Sequence, residues 1–156
     1  MDIWFKRAVV TDAQTLVAIQ IAAFHHDAVI YPGVAVGGPP GYDSVENLVD
    51  KIQHAICYKI MYSERCIGGI VVFDEGEGHL HLDLLYIEPD YHNQGIGTKA
   101  MQFLEAQHPA PKWTLDTPQY AIRNQHFYEK FGYVKVLEFF DGDVMLFSYE
   151  KQIGPD

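Results

Sequence analysis

Alternating apolar and polar positions predict most of the strands of this chain. Between His79 and Ile87, residues 80, 82 and 84 are leucines, whereas His79, His81 and Asp83 occupy the odd positions. Because successive side chains of a strand point to opposite faces, we expect a histidine and aspartate face and a leucine face here. Further strands are predicted at residues 3–9, 55–62, 66–73, 113–117, 133–139 and 143–149.

Helical periodicity and turn residues complete the order of elements. Leu16, Ile19 and Phe24 give an apolar face to a helix that begins near Thr11. The other predicted helices cover residues 44–52, 95–107 and 120–131. Residues 25–43 form a long segment rich in glycine and proline, and such loops are usually functional. The order βααβββαβαββ predicts an α+β fold, with a mixed, mainly antiparallel central sheet of about seven strands and about four flanking helices.

Length and charge narrow the functional classes. The 156 residues are typical of one domain, so we expect residues 1–156 to form a single unit. The formal net charge of -10, from 21 acidic and 11 basic residues, repels phosphate backbones. We therefore expect no nucleic-acid partner, and the acidic surface favours the approach of cationic substrates.

The two cysteines indicate the compartment. A tight turn at residues 63–65 is expected to join two strands, so that Cys66 pairs near Met61 and Cys57 near Ile70 or Val71. In that register the thiols do not meet, as a disulfide requires. Free thiols are typical of a reducing compartment, hence the cytoplasm. No signal-peptide core and no membrane-spanning apolar stretch is evident, so we expect no membrane partner.

Gly95 and Gly97 begin a predicted helix, where free main-chain N–H groups attract an anion. The same segment fits a dinucleotide fingerprint, Gly95-x-Gly97-x-x-Ala100, with Asp116 further on. That alternative is disfavoured, because seven residues separate Ile87 from Gly95 and antiparallel hairpins precede the loop. Too little chain follows to form a second nucleotide-binding half.

Two motifs resemble those of the GNAT superfamily of N-acetyltransferases. Residues 85–98, Leu-Tyr-Ile-Glu-Pro-Asp-Tyr-His-Asn-Gln-Gly-Ile-Gly-Thr, match its central motif, except that His92 occupies a position where the family usually has Gln or Arg. Residues 124–133, Asn-Gln-His-Phe-Tyr-Glu-Lys-Phe-Gly-Tyr, match a second family motif. The resemblance implies the GNAT fold and acetyl-CoA as co-substrate, with no metal.

The resemblance also implies how the coenzyme binds. Its pyrophosphate would contact main-chain N–H groups of the loop before the helix, and its pantetheine arm would lie beside the end of the preceding strand. Adjacent parallel strands that splay apart would open the slot for that arm. The cofactor-binding residues expected on this basis are Leu85, Tyr86, Ile87, His92, Asn93, Gln94, Gly95, Ile96, Gly97, Thr98, Asn124 and Lys130.

Three residues are candidates for catalysis. Tyr128 matches the family tyrosine that protonates the thiolate leaving group, and the alternative is a core tyrosine at helical spacing. His81 falls where some family members carry a catalytic glutamate, and Asp83 lies closer to the expected slot. Two alternatives for this pair stay open: a solvated or internally bonded polar face, or deprotonation of the amine through a water chain. Phe24 and Tyr31 are candidate walls of the acceptor site.

The expected function is transfer of an acetyl group from acetyl-CoA to a primary amine, by direct attack in a ternary complex. A non-catalytic acetyl-CoA-binding sensor or regulatory module is the alternative. The amine acceptor can be a small molecule or a peptide. Family members often form homodimers through their C-terminal strands, so a homodimer is left open.

Overall fold

One mixed sheet organises the protein. The computed structural model describes residues 2–154, and in this range the sheet has seven strands in the order β1-β2-β3-β4-β5-β7-β6. The strands are β1 Ile3–Arg7, β2 Ile56–Tyr62, β3 Arg65–Gly76, β4 His79–Ile87, β5 Lys112–Pro118, β6 Val134–Asp141 and β7 Val144–Gln152. Neighbouring strands are antiparallel, apart from the parallel pair β4 and β5. The predicted α+β class with a mainly antiparallel sheet is confirmed.

Helices cover both faces of this sheet. They are α1 Ala13–His25, α2 Asp27–Ile30, α3 Val45–His54, α4 Ile96–Gln107 and α5 Ile122–Lys130. The single-turn α2 lies in the segment predicted to be irregular. The chain enters α1 through a 3₁₀ turn at Val10–Asp12, later than predicted, because the Asp12 carboxylate accepts a hydrogen bond from the Val9 N–H at 2.8 Å. Every helix within residues 2–154 is too short or too polar to cross a membrane.

The β2–β3 hairpin has the predicted register. Met61 lies opposite Cys66, and Cys57 lies opposite Val71. The two thiols therefore occupy different parts of the hairpin, as the position of the turn indicated.

A β-bulge in β4 changes which side chains share a face. Val71 of β3 pairs with Leu84, whereas Val72 pairs with Leu82, so Asp83 is an extra residue in β4. An extra residue reverses the alternation beyond it. The expectation that Leu84 shares a face with Leu80 and Leu82 is therefore wrong.

The bulge makes β4 contribute to both hydrophobic cores. On one face, Leu80 and Leu82 pack with buried residues of α4 and with Trp113. On the other face, Leu84 and Tyr86 pack with α1 and α3. Burial of these side chains fixes the end of β4 between the two layers of helices.

Two glycines of β3 allow the end of β4 to approach closely. Gly68 pairs with Ile87, and Gly69 pairs with Tyr86. A Cβ atom at residue 68 would overlap the main-chain oxygen of Tyr86, and a Cβ atom at residue 69 would overlap the Tyr86 ring. Tyr86 is only 4% exposed, so its ring has little room to move away.

Candidate active site

The pairing between β4 and β5 stops partway along β4. Four register positions join the strands, and the last pairs Leu82 with Leu115. Beyond it β4 continues to Ile87 and β5 to Pro118 without pairing with each other. The separation begins at the Asp83 bulge. The β5-facing main chain at the end of β4 is therefore available to an extended ligand.

A cavity of about 560 Å³ lies beside this end of β4. Its walls come from β4, the loop to α4, the first turn of α4, α5, and the end of α1 together with α2. Most residues that the sequence analysis singled out lie on these walls: Phe24, Tyr31, Leu85, Tyr86, Ile87, His92, Asn93, Gly95, Ile96, Gly97, Thr98, Asn124 and Tyr128. Residues far apart in the sequence thus meet in one cavity.

Four of the proposed site residues lie off the cavity wall, and two of these are Gln94 and Lys130. The Gln94 side chain is exposed and donates a hydrogen bond to the Asp90 carbonyl at 3.3 Å. Lys130 is exposed in the last turn of α5.

His81 and Asp83 also lie off the wall, and neighbouring groups bind both side chains. The Lys51 ammonium donates to the Asp83 carboxylate at 2.9 Å. The Thr114 hydroxyl lies 2.7 Å from the His81 imidazole and 2.6 Å from that of His79, so it donates to one ring and accepts from the other. Within residues 2–154, no group of three or more His, Cys, Asp or Glu side chains is arranged to hold a metal ion.

The loop before α4 presents main-chain donors to the cavity. Asn93 and Gly95 have φ angles of 62° and 76°, both in the left-handed region, and Gly95 is the N-cap of α4. Glycine takes this conformation without strain, and asparagine tolerates it better than most residues. The first N–H groups of α4 have no helical acceptor, so they can bind an anion.

His92 fixes the start of this loop. Its Nε2 lies 2.7 Å from the Ile87 carbonyl oxygen, so Nε2–H donates to the last residue of β4. Burial lowers the pKa of His92, the hydrogen bond to Ile87 raises it, and nearby His26 and Arg123 lower it further. The imidazole is therefore neutral near pH 7, and it acts as a hydrogen-bond donor much as a glutamine amide would.

Replacing His92 with glutamine should reduce the amount by which the free energy of unfolding decreases on acidification. The folded state lowers the pKa of His92, so the unfolded state binds a proton there more readily. The free energy of unfolding therefore decreases as pH falls below about 6.5, the ordinary histidine pKa. Glutamine keeps a donor for the Ile87 carbonyl but does not titrate. Urea denaturation at about pH 7.5 and about pH 5.5 measures the difference in unfolding free energy between the two conditions.

The expected result is a smaller difference for His92→Gln than for the unchanged protein. His108, whose pKa burial also lowers, titrates in both proteins. His126→Gln, on the exposed side of α5, controls for the loss of an imidazole. Equal differences in His92→Gln and the unchanged protein would contradict the prediction.

Tyr128 brings a protonated hydroxyl to the cavity. The side chain projects from α5, and its ring packs against the rings of Phe127 and Tyr133, with centroids 5.1 Å and 5.9 Å away. Burial raises the pKa of Tyr128 to about 12. The hydroxyl therefore keeps its proton at neutral pH and is available as a proton donor.

Asp27 and Arg123 are wall residues that the sequence analysis missed. Burial raises the pKa of Asp27, whereas His26 and the Tyr120 hydroxyl lower it. Asp27 belongs to α2, inside the glycine- and proline-rich segment, where no periodicity indicates which side chains point inward. Arg123 precedes Asn124 of the second motif, and its position beside that residue was the one available signal.

Comparison with known proteins agrees with this architecture. A family model described as "Acetyltransferase (GNAT) domain" matches residues 53–135. The uncharacterized protein YrkN of Bacillus subtilis is 39% identical over 90 residues, which cover 56% of this chain and 48% of YrkN. The chain thus spans about half the length of this curated relative.

Solved structures with low sequence identity share the fold. The PaiA N-acetyltransferase of Thermoplasma acidophilum, in complex with coenzyme A, superposes with a TM-score of 0.76 at 21% identity, covering 98% of this chain and 100% of that one. The ribosomal-protein-S18-alanine N-acetyltransferase of Escherichia coli gives a TM-score of 0.78 at 12% identity, covering 99% and 96%. The matched segment, residues 53–135, contains β4, the loop before α4, and α5. This chain belongs to the GNAT acetyltransferase family.

Proposed function

We propose that the protein transfers the acetyl group of acetyl-CoA to a primary amine, by direct attack of the amine in a ternary complex. The observation that carries the proposal is that one cavity is lined by the first turn of α4, by Tyr128 and by the end of β4 that does not pair with β5. Acetyl transfer from a CoA thioester requires three features. These are a loop that binds the pyrophosphate, a strand edge that pairs with the pantetheine amides, and a proton donor for the thiolate.

The proposed coenzyme site follows from these contacts. The pyrophosphate binds main-chain N–H groups of residues 92–98, and the pantetheine amides pair with the main chain of residues 85–87. Asn124 contacts the coenzyme from α5, where its amide lies 3.5 Å from the Thr117 hydroxyl. Gln94 takes part through its main chain alone, and no contact is assigned to Lys130.

Arg123 supplies positive charge in an otherwise acidic protein. It lies on the cavity wall and near enough to His92 to lower the pKa of that imidazole. A guanidinium binds phosphate oxygens well because it stays charged and offers several donors. We assign Arg123 to the pyrophosphate.

The reaction needs a neutral amine and a protonated leaving group. After the ammonium loses one proton, its nitrogen attacks the thioester carbonyl carbon, and a main-chain N–H near Ile87 donates to the developing oxyanion. The C–S bond then breaks, and the Tyr128 hydroxyl protonates the thiolate. The nitrogen loses a second proton to give the amide, and solvent returns a proton to Tyr128.

His81 and Asp83 remain candidates for proton removal. Since both lie off the cavity wall, the proposed role is indirect: each would accept a proton through water rather than from the amine itself. The ion pair between Asp83 and Lys51 and the hydrogen bond between His81 and Thr114 favour the alternative, in which these groups stabilise the sheet.

The structural relatives support the coenzyme assignment. PaiA was solved with coenzyme A bound, and the Escherichia coli relative is named for N-acetylation of an alanine. We extend CoA binding and amine acetylation from those proteins to this chain. The proposal also places the reaction in the cytoplasm, without a nucleic-acid partner, and leaves β6 and β7 as the surface for a homodimer.

Isothermal titration with acetyl-CoA tests the proposal. We expect micromolar binding of acetyl-CoA and of CoA, and no binding of NAD, because the loop lies in a mixed sheet rather than at the first turn of a doubly wound parallel one. Absence of acetyl-CoA binding would overturn the proposal. Binding without transfer to any amine would favour the non-catalytic module.

A further inference from the structure

The α2 segment and the start of α5 contact each other across one end of the cavity. The rings of Tyr31 and Tyr120 lie with centroids 5.6 Å apart. The Tyr120 hydroxyl is also near enough to the Asp27 carboxylate to lower its pKa. The α2 segment and the start of α5 therefore meet at one end of the cavity.

Asp27 places a carboxylate at this end of the cavity, near His26. It is half-buried on the cavity wall, and none of the salt bridges found among residues 2–154 involves it. A partly buried carboxylate is stabilised most by a cation that reaches it. The position therefore favours a positively charged ligand group.

Aromatic rings surround the place where such a cation would lie. Phe24 and Tyr31 share the wall with Asp27, and the Phe24 ring lies 6.3 Å from that of Tyr86. Aromatic faces attract ammonium groups, and they also bury the methylene or aryl groups attached to them. A carboxylate beside such rings is a common way to bind an organic amine.

The cavity limits the size of that ligand. Its volume of about 560 Å³ has to hold the acetylated end of the coenzyme as well as the acceptor. Cavities in this range enclose molecules of small-metabolite size. The volume that remains for the acceptor therefore suits a small molecule.

We propose that the acceptor is a small primary amine, which enters as its ammonium cation and is bound by Asp27 together with the rings of Phe24 and Tyr31. This inference rests on the proposed acetyl transfer and specifies its substrate class. The net charge of -10 assists it, since an acidic surface draws cations toward the protein.

An acceptor panel tests the size and charge of the substrate. Release of CoA thiol is measured with 2-phenylethylamine, n-butylamine, β-alanine and a lysine-containing peptide. We expect a kcat/KM for at least one of the two simple amines about tenfold or more above the values for β-alanine, whose carboxylate Asp27 repels, and for the peptide. An equal or higher kcat/KM for the peptide would overturn the inference.

Asp27→Asn tests the binding group directly. We expect about a tenfold rise in KM for the preferred amine, a smaller change in kcat, and an unchanged Kd for acetyl-CoA. Titration of the amine into CoA-saturated protein should show the same loss of affinity without turnover. An unchanged KM and an unchanged amine affinity would overturn the inference.

Asp50→Asn is the matched control, because it removes one carboxylate from the exposed side of α3, away from the cavity. Its KM should equal that of the unchanged protein, and Tm values of both variants verify folding. Failure of the unchanged protein to bind acetyl-CoA would instead overturn the proposed function. Acetyl-CoA binding with transfer only to the peptide would overturn the small-amine inference alone.

Discussion

Tyr128→Phe should lower kcat by about 100-fold to 10,000-fold and leave the Kd for acetyl-CoA unchanged. The substitution removes the hydroxyl that we propose protonates the departing thiolate, and it keeps the ring that packs against Phe127 and Tyr133. Burial raises the pKa of this hydroxyl to about 12, so the group is fully protonated over the working pH range. Steady-state kinetics with the preferred amine, together with acetyl-CoA titration, measure both quantities.

Tyr133→Phe is the matched control for this experiment. The Tyr133 hydroxyl is buried and has no hydrogen-bond partner within residues 2–154, and its ring lies beside that of Tyr128 without lining the cavity. Its removal should leave kcat unchanged. A loss of kcat in Tyr128→Phe below about fivefold would contradict the role of Tyr128 as general acid, since a positioned acid contributes far more.

Gly68→Ala should destabilise the protein by about 3 kcal/mol, at the upper end of the usual cost of overpacking. The added methyl would overlap the main-chain oxygen of Tyr86 and lie 3.1 Å from the Ile60 side chain. A main-chain atom in a paired strand cannot move aside alone, so β3 and β4 must separate locally. Urea denaturation measures the change in unfolding free energy.

Gly37→Ala controls for the general effect of replacing glycine. The added methyl meets no atom within 4 Å at that position, so its effect should stay within about 0.5 kcal/mol. Because Gly68 pairs with Ile87, Gly68→Ala should also weaken acetyl-CoA binding. Equal stability of the two variants would show that β4 tolerates a wider spacing from β3 than the structure indicates.

The order of elements and the start of α4 at Gly95 could be predicted from the sequence because both depend on local signals. Gly95 and Gly97 mark a helix start wherever the chain continues with good helix formers. The turn at residues 63–65 fixed the pairing of Met61 with Cys66, since hairpin register follows from the turn.

The bulge at Asp83 could not be predicted, because alternation assumes that every residue has one partner on the neighbouring strand. One unpaired residue moves Leu84 into the other core and separates β4 from β5. The same feature explains why the polar face of residues 79–83 does not extend to the cavity wall. His81 and Asp83 precede the reversal, whereas the wall begins at Leu85.

Asp27 also lay beyond sequence analysis, for a different reason. The contact between Tyr31 and Tyr120 joins segments that are far apart in the chain, and no periodic pattern in residues 25–43 indicates it. Such a pairing depends on how α2 packs, which only the folded structure determines.

Two parts of the cavity wall, the end of β4 and α2, differ in how much stability a substitution costs. The end of β4 is held by both cores and by Gly68, so a substitution there disturbs the packing of β4 on β3 and on the helices. The wall formed by α2 belongs to a surface connection, where substitutions and insertions cost little stability. Under the proposed function, descendants of this chain could therefore acquire new acceptors through changes in α2 while the coenzyme side of the cavity stays the same.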